Sequence, residues 1–151
     1  MHFWRCTITV SFAVLMLTAC DSSVEKSGMP VPEAPVRKVD AQQIALGKKV
    51  FLANCAVCHG SKAEGDANWR QRDADGYYPA PPLNGSGHAW HHSLEVLKAT
   101  ITNGSPKGKG KMPAWQGKLS EQEIEAIIAW FQSQWPQPVY DAWYEMQQRG
   151  R

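Results

Sequence analysis

The chain has 151 residues, 43% of them hydrophobic and 20% charged, which suits one soluble domain with extensions and leaves no room for a second core of useful size. Its net charge is only +2 and its basic residues form no stripe with interleaved aromatics, which argues against a nucleic-acid surface.

Residues 1–19 read as a processing signal, because Arg5 precedes an apolar stretch from Ile8 to Leu17 that ends in small residues. That stretch is too short to span a bilayer as a mature helix. Leu17-Thr18-Ala19-Cys20 resembles a bacterial lipobox, in which Cys20 would be lipidated and become the new N-terminus. The plainer alternative is an ordinary signal peptide cut near Cys20, leaving a free thiol. Several acyl chains anchor firmly where one does not, since each buried CH2 contributes about 0.8 kcal/mol. Asp21 follows, as in Gram-negative lipoproteins retained in the inner membrane, so the expected location is the periplasmic face of that membrane. Residues 20–39 then carry Pro30, Pro32 and Pro35 among Ser, Glu and Lys, the composition of a flexible tether.

From Asp40 the pattern changes, and residues 40–135 form the expected domain. Ile44, Gly47, Val50, Phe51 and Asn54 follow a helical period, with Asp40 placed to cap the start. The helix leads into Cys55-Ala56-Val57-Cys58-His59, the C-x-x-C-H motif of covalent haem attachment. At the end of a helical turn the two thiols reach the two vinyl groups of one haem, and the adjoining imidazole lies beneath the iron. A thioredoxin-like pair, half of a zinc site or a structural disulfide would also use two cysteines. None of these asks for the histidine, and no second pair remains, because Cys6 leaves with the signal and Cys20 takes lipid.

Gly65, Asp73 to Gly76 and Pro79 to Pro82 mark an irregular loop with turns. Asp73 with Asp75 reads as a solvated turn rather than a catalytic pair. A second helix is expected from Ser93 to Asn103, with Leu94, Leu97 and Ile101 on one face and Gly104 ending it. The clearest helix follows Ser120, where Glu123 completes a capping box and Ile124, Ile127, Ile128 and Phe131 form the buried stripe up to Pro136. Residues 136–151 extend beyond it, with Val139, Trp143 and Met146 spaced for a further helical stretch against the domain.

Between the last two helices, Lys111-Met112-Pro113 offers a sixth iron ligand. A thioether favours ferrous iron, so His/Met ligation raises the potential. An isolated methionine more often fills a gap in the core, but Met112 sits in a Gly, Lys and Pro loop far downstream of His59. His88, His91 and His92 are its rivals, while Met29 and Met146 lie in the tether and the tail. Lys107, Lys109 and Lys111 would place positive charge beside this loop and steer an acidic redox partner.

From about Asp40 to Trp135 these features resemble the class I cytochromes c. Gly47 and Phe51 stand where that family packs its first helix against its last, with Ile127 and Trp130 as the matching partners. Pro81-x-Leu83-x-Gly85 resembles the segment beneath the haem, whose proline carbonyl takes a hydrogen bond from the proximal histidine. The Glu64 to Tyr78 loop and the His88 to His92 cluster depart from the general pattern. The resemblance implies an all-α fold, a small cytochrome c of three to five helices around one covalent haem c. Phe51, Leu83, Leu97, Trp115 and Ile128 are expected to exclude water from it.

The implied function is single-electron transfer without catalysis, by a monomer shuttling between a quinol-oxidising complex and a terminal oxidase or reductase. Two alternatives are a dedicated subunit of one dehydrogenase or oxidase, and a haem-based sensor or copper-binding protein using His88, His91 and His92.

Overall fold

The computed structural model describes Arg37 and residues 40–149. The expected signal peptide, the Cys20 lipidation site and nearly all of the tether lie outside the described residues.

Five helices and no strand occur among the described residues. Helix α1, Ala41–Asn54, starts at Asp40, whose Oδ1 accepts from the backbone N–H of Gln42 at 2.9 Å and Gln43 at 3.3 Å. Those bonds satisfy donors that a helix start leaves without a partner. One further turn, α2 (Ala56–His59), carries the cysteines and the histidine. Helix α3, Leu94–Asn103, is capped by Ser93 and follows a 3-10 turn over Ala89–His91. Helix α4, Glu121–Ser133, has the reciprocal Ser120/Glu123 capping box. Helix α5 spans Gln137–Arg149.

The core is the contact between α1 and α4. A side chain added at Gly47 would lie 1.9 Å from the Ala126 carbonyl oxygen and 2.9 Å from Trp130 Cβ, so the two backbones meet where only glycine fits. One turn on, Phe51 is fully buried and its ring centroid lies 4.4 Å from that of Trp130, at the close end of favourable aromatic separations. The partners of Gly47 are therefore Ala126 and Trp130. Ile127, next to Ala126, belongs to the same buried core as Phe51 and Trp130 and borders the interior cavity with Phe51.

The C-terminal segment is a full helix docked on the domain. Trp143 is buried and its indole N–H donates to the His92 carbonyl at 2.9 Å, while Gln147 Oε1 accepts from Leu94 N at 3.1 Å. Trp135 meets Trp143 edge-on with centroids 6.0 Å apart. At the same corner Arg37 donates to the carbonyls of Gln132 and Trp135 and lies 4.0 Å above the Tyr140 ring.

Alanine in place of glycine favours an open helix by about 1 kcal/mol, whereas overpacking costs about 1–3 kcal/mol. Gly47→Ala should therefore be a net destabilisation, read as a lower denaturation midpoint. An unchanged or raised midpoint would contradict the close approach of α1 to α4.

Candidate haem site

The turn of α2 is tied to the end of α1 by the Cys55 carbonyl, which accepts from Cys58 N at 3.1 Å and His59 N at 2.9 Å. Cys55 is half-buried, Cys58 is exposed, and Val57 between them is 90% exposed. Both thiols are free of disulfide bonding. Burial, with the neighbouring Cys58 adding to it, pushes the Cys55 thiol up to about 11, so the thiol remains uncharged at neutral pH.

His59 is buried, and its Nδ1 lies 2.9 Å from the Pro81 carbonyl oxygen. A carbonyl can only accept, so the proton belongs on Nδ1 and the Nε2 lone pair is left available. Burial holds the imidazole below the usual histidine range, against the opposing pull of the Pro81 carbonyl. The fold thus favours neutral imidazole, the form that ligates a metal.

Pro81 is brought under His59 by backbone bonds between two loop segments. Gly65 N donates to His59 O at 2.8 Å, Asp66 N to Ala80 O at 2.8 Å, and Leu83 N to Ala63 O at 2.8 Å. Ala63 is completely buried and has a φ of 55°, a left-handed conformation uncommon outside glycine. Its carbonyl also accepts from Asn84 N at 3.2 Å, so the tight turn after His59 doubles as the support for Pro81 and Leu83. The Leu83 carbonyl in turn accepts from the Trp135 indole at 2.7 Å.

Met112 is half-buried, and its loop is seated on the end of α3. Its carbonyl accepts from Ser105 N at 3.0 Å, and its own N–H donates to Ser105 Oγ at 3.3 Å. Gly104 has a φ of 76°, and a side chain there would come within 2.6 Å of the Met112 carbonyl.

These pieces surround one cavity of about 580 Å³, lined by Cys55, Cys58, His59, Pro81, Leu83 and Met112 together with Phe51, Leu97, Ile101, Trp115, Ile127 and Phe131. That volume lies within the range of about 300–1,000 Å³ usual for cofactor sites. All six site residues read from the sequence for the domain come together here. Of the expected apolar wall, Ile128 is buried but is not among the lining residues, while Ile101, Ile127 and Phe131 are. Position on a helical stripe alone does not separate a core face from an adjoining cavity face. Two thiols for covalent attachment, a neutral imidazole and a thioether around a largely apolar space fit haem c.

His88 and His92 also border the cavity. His88 stacks on Trp69 at 5.0 Å between centroids, with His92 edge-on at 5.3 Å, while His91 stacks on Trp90 at 3.7 Å. Burial is the main cause holding His88 below the usual range, with His92, His91 and Arg70 adding to it. Among the described residues, no group of three or more His, Cys, Asp or Glu side chains is arranged to hold a metal ion. Lys111 is exposed but is not a free steering charge, because it bonds Asp73 at 2.9 Å and Asp75 at 2.5 Å; Lys107 and Lys109 are also exposed.

The protein-family profile described as cytochrome C oxidase, cbb3-type, subunit III matches residues 42–131. The chain belongs to this cytochrome c family. It is a class I monohaem c-type cytochrome, and its cofactor is covalently bound haem c. The cytochrome is 38% identical over 91 residues to cytochrome c6 of Cladophora glomerata, covering 59% of the chain and 86% of that protein. It is 34% identical over 94 residues to the cbb3-type cytochrome c oxidase subunit CcoP of Azospirillum sp. (strain B510), covering 62% of the chain but only 29% of that subunit. A thiosulfate dehydrogenase of Stutzerimonas stutzeri (strain A1501) is 29% identical over 127 residues, covering 82% of the chain and 37% of that enzyme. No solved structure gives a significant match.

Replacing Cys58 by Ser should leave haem attached through one thioether at most, in lower yield, as read by mass spectrometry of the denatured cytochrome. A haem still linked twice would exclude Cys58 from the attachment.

Proposed function

We propose that this cytochrome is a one-electron shuttle whose haem is attached through Cys55 and Cys58, with the iron held by His59 and Met112. The observation that carries the reading is the His59–Pro81 bond at 2.9 Å, in a cavity that Met112 also lines. When bound, the haem supplies a ferrous/ferric couple that takes up and releases one electron at a time.

The chain's own residues do the rest. Pro81 fixes the His59 ring and raises its basicity through the bond to Nδ1. The Met112 thioether favours the ferrous state and lifts the potential. Phe51, Leu83, Leu97 and Trp115 keep water from the cavity, which limits reorganisation when charge arrives. The exposed Val57 and Cys58 present the attachment turn to a redox partner, so electrons can leave without the domain opening. This role needs no catalytic residue, and the protein acts as a carrier, not an enzyme.

The partners we propose are a quinol-oxidising complex and a terminal oxidase or reductase. A lipid on Cys20 would hold the domain at the periplasmic face of the inner membrane, a placement that rests on Leu17-Thr18-Ala19-Cys20 and Asp21. The likeness to cytochrome c6, which extends over most of that small protein, favours an independent carrier. The likeness to CcoP supports the second reading, a dedicated subunit of one oxidase or dehydrogenase.

The two readings part in stopped-flow mixing of the reduced cytochrome with several purified acceptors. A shuttle should be oxidised saturably by more than one of them, more slowly as salt screens the encounter. Oxidation by a single enzyme that also co-purifies with the cytochrome would favour the subunit.

A further inference from the structure

The loop from Glu64 to Tyr78, where the sequence departs from the general family pattern, is fastened to the loop that carries Met112. Tyr78 N donates to the Lys109 carbonyl at 2.9 Å, and Tyr78 and Gly110 form an isolated parallel bridge. Lys111 Nζ bonds Asp73 Oδ2 and Asp75 Oδ2, and lies 5.3 Å from the Tyr77 ring centroid. Arg72 donates to the carbonyls of Gly76 and Gly108 while lying 4.5 Å above the Tyr78 ring.

The carboxylates are held ready for this contact. Asp73 Oδ1 accepts from Asp75 N at 3.0 Å and from Tyr77 N at 2.9 Å, which leaves Oδ2 for the lysine. On the other side the Met112 loop is seated on Ser105 and Gly104 at the end of α3. Lys107 to Lys111 contains two glycines, Gly108 and Gly110, and ordering so permissive a stretch is entropically costly. Local opening free energies in such loops are low, and they govern which contacts are exchanged first.

We propose that Asp73, Asp75 and Arg72, acting on Lys111 and Gly108, form a latch that sets how often the Met112 loop opens and so how readily Met112 yields the iron to another ligand. They are positioning residues: none needs to touch the haem. Lys111 is bonded directly to Met112 along the chain, so restraining its side chain restrains the next peptide. One exposed ion pair contributes little. Here two carboxylates share one ammonium and are backed by the Tyr78 and Arg72 backbone bonds. The inference rests on Met112 being the sixth ligand.

The test follows imidazole binding to the ferric holoprotein, together with the far-red sulfur-to-iron band. The double variant Asp73→Asn/Asp75→Asn keeps an oxygen for the turn but loses the charges. It should retain the band and take up imidazole faster by about three- to tenfold. Lys111→Gln should behave likewise, and Lys111→Arg should stay close to the wild type. Lys98→Gln, which breaks the pairs to Glu121 and Glu125, should leave imidazole uptake unchanged. A band in the wild type with no acceleration in the double variant would overturn the latch alone, as would equal acceleration in Lys98→Gln. A wild type without the band would refute the Met112 assignment, and the latch with it.

Discussion

The approach of α1 to α4 at Gly47 fixes the frame on which every other part of this cytochrome is measured. Because the α1 backbone lies against the Ala126 carbonyl with no room for a side chain, the end of α1 is held at one height and rotation relative to α4. Phe51 then packs at a tilt against Trp130 and lines the inner wall, and the Cys55 to His59 turn emerges with its histidine buried against the cavity. Two cysteines and a histidine at the correct spacing would be of little use on a helix free to roll. The packing of glycine on a carbonyl turns a local motif into a site.

Around that frame the polar groups are satisfied largely by backbone carbonyls. His59 is oriented by Pro81 O, Trp135 by Leu83 O and Trp143 by His92 O. Each bond reaches a carbonyl in a connecting segment, from α2 for His59, from the turn between α4 and α5 for Trp135 and from α5 for Trp143. Indole donors that would be costly to bury unpaired therefore pin the loops under and beside the cavity. The segments on which haem binding depends are irregular in shape but not loosely held, because Ala63 and Gly65 tie the turn after His59 to the Pro81 segment.

The sequence carried some of this plainly. Asp40, Ser93 and the Ser120/Glu123 box announced helix starts, because capping requires particular side chains at particular offsets. Cys55, Cys58 and His59 carried the cofactor chemistry in their spacing alone. Other features were hidden for physical reasons. Ala63 adopts a left-handed conformation through its surroundings, not its own preference, so no residue type marks it. The pairing of Lys111 with Asp73 and Asp75 joins residues 38 and 36 positions apart, and a lysine in a loop looks the same whether free or paired. Whether Ile127 or Ile128 borders the cavity depends on how far α4 is rotated, a quantity set by Gly47 on another helix. The C-terminal helix offered an apolar spacing at Val139, Trp143 and Met146, but its docking depends on a backbone carbonyl at His92, invisible in sequence.

In the proposed function, His59 and Met112 together complete the coordination of a haem held by this cavity. The most direct measurement is the optical spectrum of the mature holoprotein, oxidised and reduced, with and without carbon monoxide, beside the Met112→Ala variant. A low-spin spectrum with the far-red sulfur-to-iron band, no reaction with carbon monoxide in the wild type, and loss of the band with carbon monoxide binding in the variant is the predicted result. A wild type that lacks the band and binds carbon monoxide, or a variant whose spectrum matches the wild type, would contradict it.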